Sequence, residues 1–284
     1  MAIADRQVPA PGELFLDHVA HFVPDLDAAA AVFESVGFVV TKTSHHAVGG
    51  QPAGSANRCV MLDEGYIELI APTLDTPNSQ KIRDRLRLFT GVHLVCFGTP
   101  HAEGEHCRLV DHGFAPPPLV ELSRQVPEGG MVRFKVARAA PEAMAEGRIQ
   151  YVQQMTPEAI WTSTNVAHSN GVVGLAAAYV VAQDPAKDAA RWARFCALIP
   201  HAESDLVTLR PARGRVVIGS PDAVCDLLGA APPAPAVAGY ALACRDPHAF
   251  LARCRKKSLN VKDDHVLLPP ALGGAWKIHP SAAT

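Results

Sequence analysis

One short pattern occurs four times along this chain, and this repetition constrains the fold more strongly than any other feature of the sequence. The first copy starts with LDHVA at 16–20, continues through PDL into an alanine-rich stretch, and ends with YIELIAP at 66–72. The later copies begin near positions 91, 174 and 240. Repetition at this scale predicts a fold built from several copies of one supersecondary unit.

Each copy is predicted to fold as a strand, a helix and three further strands. In the first copy, Asp25 or Asp27 caps the helix and Gly37 ends it, because side-chain oxygens favour helix starts and glycine favours the left-handed position after a helix. Gly65 supplies the turn of a hairpin. The predicted elements of this copy are strands at 14–23, 38–43, 57–62 and 66–70, a helix at 28–36 and a loop at 43–55.

The other copies follow the same order, and an amphipathic helix at 79–89 connects the first two. We therefore predict an α+β protein of four βαβββ modules, paired into domains at 1–161 and 162–284. The elements predicted for the later copies are strands at 92–97, 119–123, 131–136 and 148–153 with a helix at 103–112, a strand at 174–181 with a helix at 186–197, and a strand at 240–244 with a helix at 248–256.

Composition and charge exclude several classes of function. The net charge is −2 and hydrophobic residues make up 48% of the 284 residues, so neither nucleic acid nor a membrane surface is an expected partner. No apolar run approaches the roughly 20 residues of a membrane helix, and the start of the chain does not resemble a secretory signal. The seven cysteines form no CxxC pair, which favours reduced thiols in the cytoplasm.

Metal-ligand side chains stand at matching places in the first two copies. When the copies are aligned, His18 falls on His93 and Glu68 falls on Gln150. Imidazole nitrogens, one carboxylate and one amide oxygen suit a divalent Fe, Zn, Co, Ni or Mn ion better than Ca²⁺. The third and fourth copies lack such ligands, which predicts a second domain that serves as a scaffold without a metal site.

The segments LDHVAHFVPDL, GYIELIAP and QYVQQMTPEAIW resemble the vicinal oxygen chelate superfamily, in particular its glyoxalase-like proteins of four βαβββ units. This resemblance implies two glyoxalase/dihydroxybiphenyl dioxygenase-like domains, each with a cup-shaped sheet. It also implies one divalent metal in the first domain, bound by the first and last strands of each module. Transferred to this sequence, the implied ligands are His18, Glu68, His93 and Gln150.

Further residues are candidates for the rim and wall of this cup. Glu68, His45 or His46 is a candidate acid or base, because imidazole titrates near neutrality. Arg58 is a candidate for binding a substrate carboxylate through bidentate hydrogen bonds from its guanidinium. The remaining substrate-binding candidates are Asn57, Tyr66 and His168.

The leading hypothesis is a metal-dependent enzyme, a lyase or isomerase that chelates two neighbouring oxygens of a small oxo or hydroxy acid. One alternative is a non-haem Fe(II) dioxygenase of a phenolic or keto acid, because two histidines and a carboxylate match the ligand set of such enzymes. A second alternative is a protein that binds and sequesters a small molecule without a metal. The expected partner is a small-molecule substrate, and a homodimer is left open.

Overall fold

A computed structural model describes residues 2–125 and 130–281 of the chain. The first two modules close into an eight-stranded barrel with the strand order β1-β4-β3-β2-β6-β7-β8-β5. Its elements are β1 (Phe15–Phe22), α1 (Leu26–Ser35), β2 (Ser44–Val48), β3 (Gln51–Met61), β4 (Tyr66–Pro72), α2 (Pro77–Leu86), β5 (Gly91–Gly98), α3 (Ala102–Asp111), β6 (Val120–Gln125), β7 (Met131–Arg138) and β8 (Arg148–Gln154).

The last two modules form an open sheet with the strand order β10-β11-β12-β9-β13-β16-β15-β14. Short 3₁₀ turns at Ala4–Gln7 and Pro157–Ala159 lie outside the two sheets. The elements of this part are β9 (Val172–Val181), α4 (Pro185–Cys196), β10 (Pro200–Glu203), β11 (Leu206–Leu209), β12 (Val216–Gly219), α5 (Pro221–Leu228), β13 (Ala236–Cys244), α6 (Pro247–Lys256), β14 (Asn260–Lys262), β15 (His265–Leu267) and β16 (Ala275–Pro280).

The four modules share one connectivity, so the α+β fold of paired βαβββ units is confirmed. In each module the first and last strands pair in parallel: β1 with β4, β5 with β8, β9 with β12 and β13 with β16. Aspartates cap three of the four module helices, and the cap predicted at Asp25 accepts hydrogen bonds from the Asp27 and Ala28 backbone N–H groups. Asp184 and Asp246 do the same for α4 and α6.

The prediction for residues 38–55 is wrong in its details. The predicted strand at 38–43 is irregular, and the predicted loop instead contains β2 and the start of β3. Gly49 and Gly50 both have positive φ values, 56° and 78°, which allows the tight hairpin between these strands. The hairpin places β2 against β6 of the second module, and this contact closes the barrel.

Helix α5 covers one face of the open sheet. Val224 and Leu228 of α5 pack against Ala177, Tyr179 and Val217 of the sheet. The positions that correspond to metal ligands in the third module are therefore packed under a helix. That the second half of the chain serves as a scaffold without a metal site stays a prediction.

A buried aromatic cluster joins the barrel to the other face of the open sheet. Trp276 of β16 packs against Phe33 of α1 at 5.2 Å between ring centroids. Its indole N–H donates to the Tyr240 hydroxyl at 2.6 Å, and that hydroxyl lies 3.0 Å from Nε2 of His21 in the barrel. Burial lowers the pKa of His21 to about 3, so this histidine is a neutral hydrogen-bonding residue of the core.

All seven cysteines are free thiols, and five of them are buried. Among the described residues, no helix combines the length and the apolar character that crossing a bilayer requires.

Candidate functional site

The barrel contains a cavity of about 190 Å³. Apolar side chains such as Leu94, Val136 and Val152 form much of its wall. A concave space with an apolar wall and a few polar groups is typical of small-molecule sites. The polar residues that line it are His18, His46, Ser55, Asn57, Tyr66, Glu68, Asn78, Arg138, Arg148, Gln150 and Gln154.

The buried carboxylate of Glu68 lies at the centre of the polar groups. Its Oε1 accepts a hydrogen bond from Nδ2 of Asn57 at 2.5 Å and lies 3.5 Å from Nε2 of His46. Its Oε2 lies 3.8 Å from Nε2 of His18. Burial raises the pKa of this carboxyl, but the hydrogen bond and charge of His46, the charge of His18 and the Asn57 amide outweigh it, and the pKa falls to about 2. Glu68 is therefore an anion at neutral pH.

A β-bulge orients His18. Leu16 pairs with Phe97 and His18 pairs with Cys96, so Asp17 is an extra residue in β1, and such bulges redirect side chains. The Asp17 carboxylate is completely buried and lies 2.6 Å from Nδ1 of His18. With Nδ1 held by a carboxylate, Nε2 of His18 is left to face the cavity.

Tyr66 supplies a neutral hydroxyl beside His18. The two rings stack with 4.2 Å between their centroids, and the hydroxyl lies 3.5 Å from Nε2 of His18. Burial, together with the negative charges of Asp17 and Glu68, raises the pKa of Tyr66 well above its usual value. The phenol therefore keeps its proton and can donate a hydrogen bond to a ligand oxygen.

Of the two adjacent histidines on β2, only His46 faces the cavity. The pairing of β2 with β3 shifts between His45 and Ala47, and His45 is exposed to solvent. Nδ1 of His46 bonds to the Ser55 hydroxyl at 2.9 Å, which leaves Nε2 directed at Glu68. The structure thus places His46, and not His45, among the groups able to exchange a proton with a ligand.

Gln150 occupies the position of Glu68 in the second module. In the parallel pair of β1 with β4, His18 pairs with Tyr66, and Glu68 lies two residues after Tyr66. In the pair of β5 with β8, Leu94 pairs with Arg148, and Gln150 lies two residues after Arg148. The side chain of Gln150 is buried and lines the cavity. Its Oε1 has no hydrogen-bond partner among the described residues, so a buried acceptor is left for a ligand or an ion.

The same strand register moves His93 away from the cavity. Leu94, one residue later, is the true counterpart of His18, and a shift of one residue turns a strand side chain to the opposite face. Nε2 of His93 bonds to the Phe89 carbonyl at 2.8 Å, and the ring packs against Phe22 and Phe89. Burial lowers the pKa of His93 to about 4. The structure does not bring His93 together with His18 and Glu68.

This register leads to a prediction about metal affinity. The Leu94→His substitution should place a second imidazole opposite His18 and tighten Co(II) binding by about tenfold or more, because it adds a nitrogen ligand. Titration of the cobalt absorption bands would measure the change. The His93→Ala substitution is the matched control and should leave the affinity within about twofold of the wild type. A large loss in His93→Ala with no gain in Leu94→His would contradict the register argument.

Two other sequence candidates have structural roles outside the cavity. The Arg58 guanidinium binds Glu34 at 2.8 Å and Asp27 at 3.2 Å, so it fastens α1 to β3. Nδ1 of His168 accepts a hydrogen bond from the Val39 N–H, and its Nε2 donates to the Met61 carbonyl at 2.7 Å. Burial lowers the pKa of His168. Neither side chain lies where it would touch a ligand in the barrel.

Two arginines that were not predicted from the sequence also line the cavity, Arg138 at the end of β7 and Arg148 at the start of β8. Nε of Arg138 is buried without a hydrogen-bond partner among the described residues. The Arg148 guanidinium lies over the Phe22 ring, 5.4 Å from its centroid. The position of Arg148 could have been predicted from the sequence, because Arg148 precedes Gln150 by two residues and therefore lies on the same face of the strand.

Comparisons with known proteins agree with this architecture. The chain matches the family described as a glyoxalase-like domain over residues 16–196. A hypothetical protein from Staphylococcus aureus is similar in structure, with a TM-score of 0.69, 11% identity and coverage of 94% of this chain and 99% of that one.

A mutant of 4-hydroxymandelate synthase from Streptomyces coelicolor is also similar, with a TM-score of 0.61, 13% identity and coverage of 97% and 95%. No curated protein sequence matches the chain. At these identities the solved structures establish a shared fold only. The match over residues 16–196 covers more than half of the chain, and the chain therefore belongs to the glyoxalase-like domain family.

Proposed function

We propose that this protein is a metal-dependent lyase or isomerase that moves a proton on a small oxo or hydroxy acid. The observation that carries the proposal is the buried, anionic Glu68 between the Nε2 atoms of His18 and His46 in one cavity. A carboxylate and imidazoles in a small cavity are the usual means of general acid–base catalysis.

The donors around the cavity fit a divalent metal ion. His18 Nε2, Glu68 Oε2 and Gln150 Oε1 would hold it, because Nδ1 of His18 and Oε1 of Glu68 already have partners and Oε1 of Gln150 has none among the described residues. Nδ1–H of His18 donates a hydrogen bond to the Asp17 carboxylate, and metal-binding histidines usually donate their other ring N–H in this way. Among the described residues, no three His, Cys, Asp or Glu side chains form a metal site, and this set contains only two of them together with a glutamine.

A bound metal ion would polarise two neighbouring oxygens of the substrate and acidify the adjacent C–H bond. The chain's own residues then move the proton. Nε2 of His46 accepts it from the substrate carbon, and the Glu68 carboxylate 3.5 Å away stabilises the imidazolium that forms. The Tyr66 hydroxyl donates a hydrogen bond to a substrate oxygen. His46 returns the proton to the substrate, so protons are conserved over the cycle.

Exchange of carbon-bound hydrogen with solvent tests this proposal. The Zn(II)- or Co(II)-loaded protein is incubated in D₂O with 2-oxo and 2-hydroxy acids of three to six carbons. Loss of the C3 proton of each oxo acid and of the C2 proton of each hydroxy acid is followed by proton NMR. We expect anaerobic exchange for at least one acid that stops when the metal is removed. Absence of exchange across the set, or full exchange without metal, would contradict the proposal.

Dioxygenase activity is a second candidate, because His18 and Glu68 provide one imidazole and the carboxylate of the two-histidine, one-carboxylate ligand set of many non-haem iron oxygenases, and Gln150 would stand in place of the second imidazole. Fe(II)-loaded protein that consumes O₂ only when a phenolic or keto acid is added would favour this activity over proton transfer. Binding of an acid without any turnover, and with the same affinity after metal removal, would instead indicate a sequestering protein.

A further inference from the structure

Arg138 and Arg148 stand where the barrel cavity meets a second, larger space outside the barrel. Both arginines line the 190 Å³ cavity, and both also line a groove of about 730 Å³. Val120 is shared by the two spaces as well. A molecule bound beside Glu68 and extending towards the groove would therefore pass these two guanidinium groups, which we call the arginine pair.

Among the described residues, the arginine pair has no direct ion-pair or hydrogen-bond partner. The anionic Glu68 lines the same cavity and acts on Arg148 only through space. Both side chains are half-buried, and Nε of Arg138 is fully buried without a hydrogen-bond partner among the described residues. A buried polar atom without a partner is costly to the folded protein, and an anionic ligand would remove that cost.

The groove beyond the arginine pair is also positive. Lys81 and Arg85 line it. The one carboxylate that lines the groove, Asp84, is bound to Arg87 at 2.6 Å. Four cationic side chains, those of Lys81, Arg85, Arg138 and Arg148, therefore line the groove, and its lining carboxylate, Asp84, already pairs with Arg87.

We propose that the arginine pair binds an anionic group at the far end of the substrate, so that the substrate is an oxo or hydroxy acid with a second carboxylate or a phosphate. Guanidinium groups bind either anion through paired N–H donors. The chelating end of this substrate is taken from the proposed function, whereas the second anionic group is inferred from the arginine pair alone.

Binding of three hydroxy acids tests the proposal. The probes are 2-hydroxybutyrate with one carboxylate, 2-hydroxyglutarate with a second carboxylate and 3-phosphoglycerate with a phosphate, each titrated calorimetrically into metal-loaded protein at constant ionic strength. We expect one of the two larger probes to bind at least about tenfold more tightly than 2-hydroxybutyrate, since a charge-assisted pair contributes that much. The tighter of the two identifies the second group as a carboxylate or a phosphate.

Arg148→Met should reduce this preference to about threefold or less, and Arg148→Lys should retain part of it. Arg255→Met removes an equal charge from an exposed residue of α6 and should keep the full preference. The thermal midpoint of Arg148→Met should equal or exceed that of the wild type, because the removed cation is half-buried and has no ion-pair partner among the described residues. This measurement separates a lost contact from a lost fold.

The proposal is overturned if wild-type protein binds no dianion, binds all three probes equally, or keeps its preference in Arg148→Met. An equal loss in Arg255→Met would also overturn it, because the preference would then depend on the total charge of the protein and not on the arginine pair. Dianion preference without proton exchange would refute the proposed function and leave the anion site standing. Proton exchange without dianion preference would refute only the anion site.

Discussion

Replacing Trp276 with alanine is expected to lower the free energy of unfolding by about 3–5 kcal/mol, the range for large-to-alanine substitutions in a packed core. Trp276 has no exposed surface, and its ring contacts Phe33, Phe38 and Phe250. The change would leave a cavity between the barrel and the open sheet. It would also remove the indole donor from the Tyr240 hydroxyl.

Urea denaturation measures this effect, with Trp276→Phe as the control. Phenylalanine refills much of the space but lacks the indole N–H, so we expect it to cost less than half as much as alanine. A loss below about 1 kcal/mol in Trp276→Ala would mean that the aromatic cluster contributes little to joining the two sheets.

Replacing Glu68 with glutamine should reduce the rate of proton exchange at least about 100-fold, because an essential charged group of an acid–base site is lost. The neutral amide keeps the shape of the side chain. It cannot stabilise an imidazolium at His46, and it is a poorer ligand for a dication. Because the pKa of Glu68 is about 2, the wild-type carboxylate is charged throughout the neutral pH range, and the full effect should appear at pH 7.

His45→Gln provides the matched control for this comparison. His45 is adjacent to His46 in sequence but exposed on the other face of β2. Its exchange rate, followed by the same NMR assay, should stay within about threefold of the wild type. If Glu68→Gln retained such a rate, the carboxylate would have no part in the reaction.

Much of the fold follows from local rules that the sequence displays. Asp25 and Gly37 mark the two ends of α1 through capping and a left-handed turn. The same order of elements in each module, together with short connections, predicts paired βαβββ units. These features are local in sequence, so they can be interpreted without knowledge of long-range contacts.

The errors concern features that long-range pairing decides. β2 is short and polar, and its position depends on pairing with β6 more than 70 residues away. The alignment of His18 with His93 matches residue types but not strand register, and only the pairing of β5 with β8 reveals Leu94 as the counterpart. The bulge at Asp17 has no local sequence signal either.

The candidate site was therefore predictable in part. His18, Glu68, Gln150 and His46 do line one cavity, as does Tyr66. Charged residues were harder to assign, because an arginine on a half-polar strand is usually exposed to solvent. Arg58 was predicted to bind a substrate carboxylate, but its guanidinium pairs with acidic residues of α1. The arginine pair lines the barrel cavity instead.

Metal content is the most direct measurement of the central claim that His18, Glu68 and Gln150 form one cation site. The purified wild-type protein and the Glu68→Ala and His93→Ala variants are analysed for bound metal by elemental analysis. We predict metal in the wild type and in His93→Ala, and at least about tenfold less in Glu68→Ala, because the removed carboxylate is the only charged ligand of the site. Equal metal content in the wild type and Glu68→Ala would contradict the account.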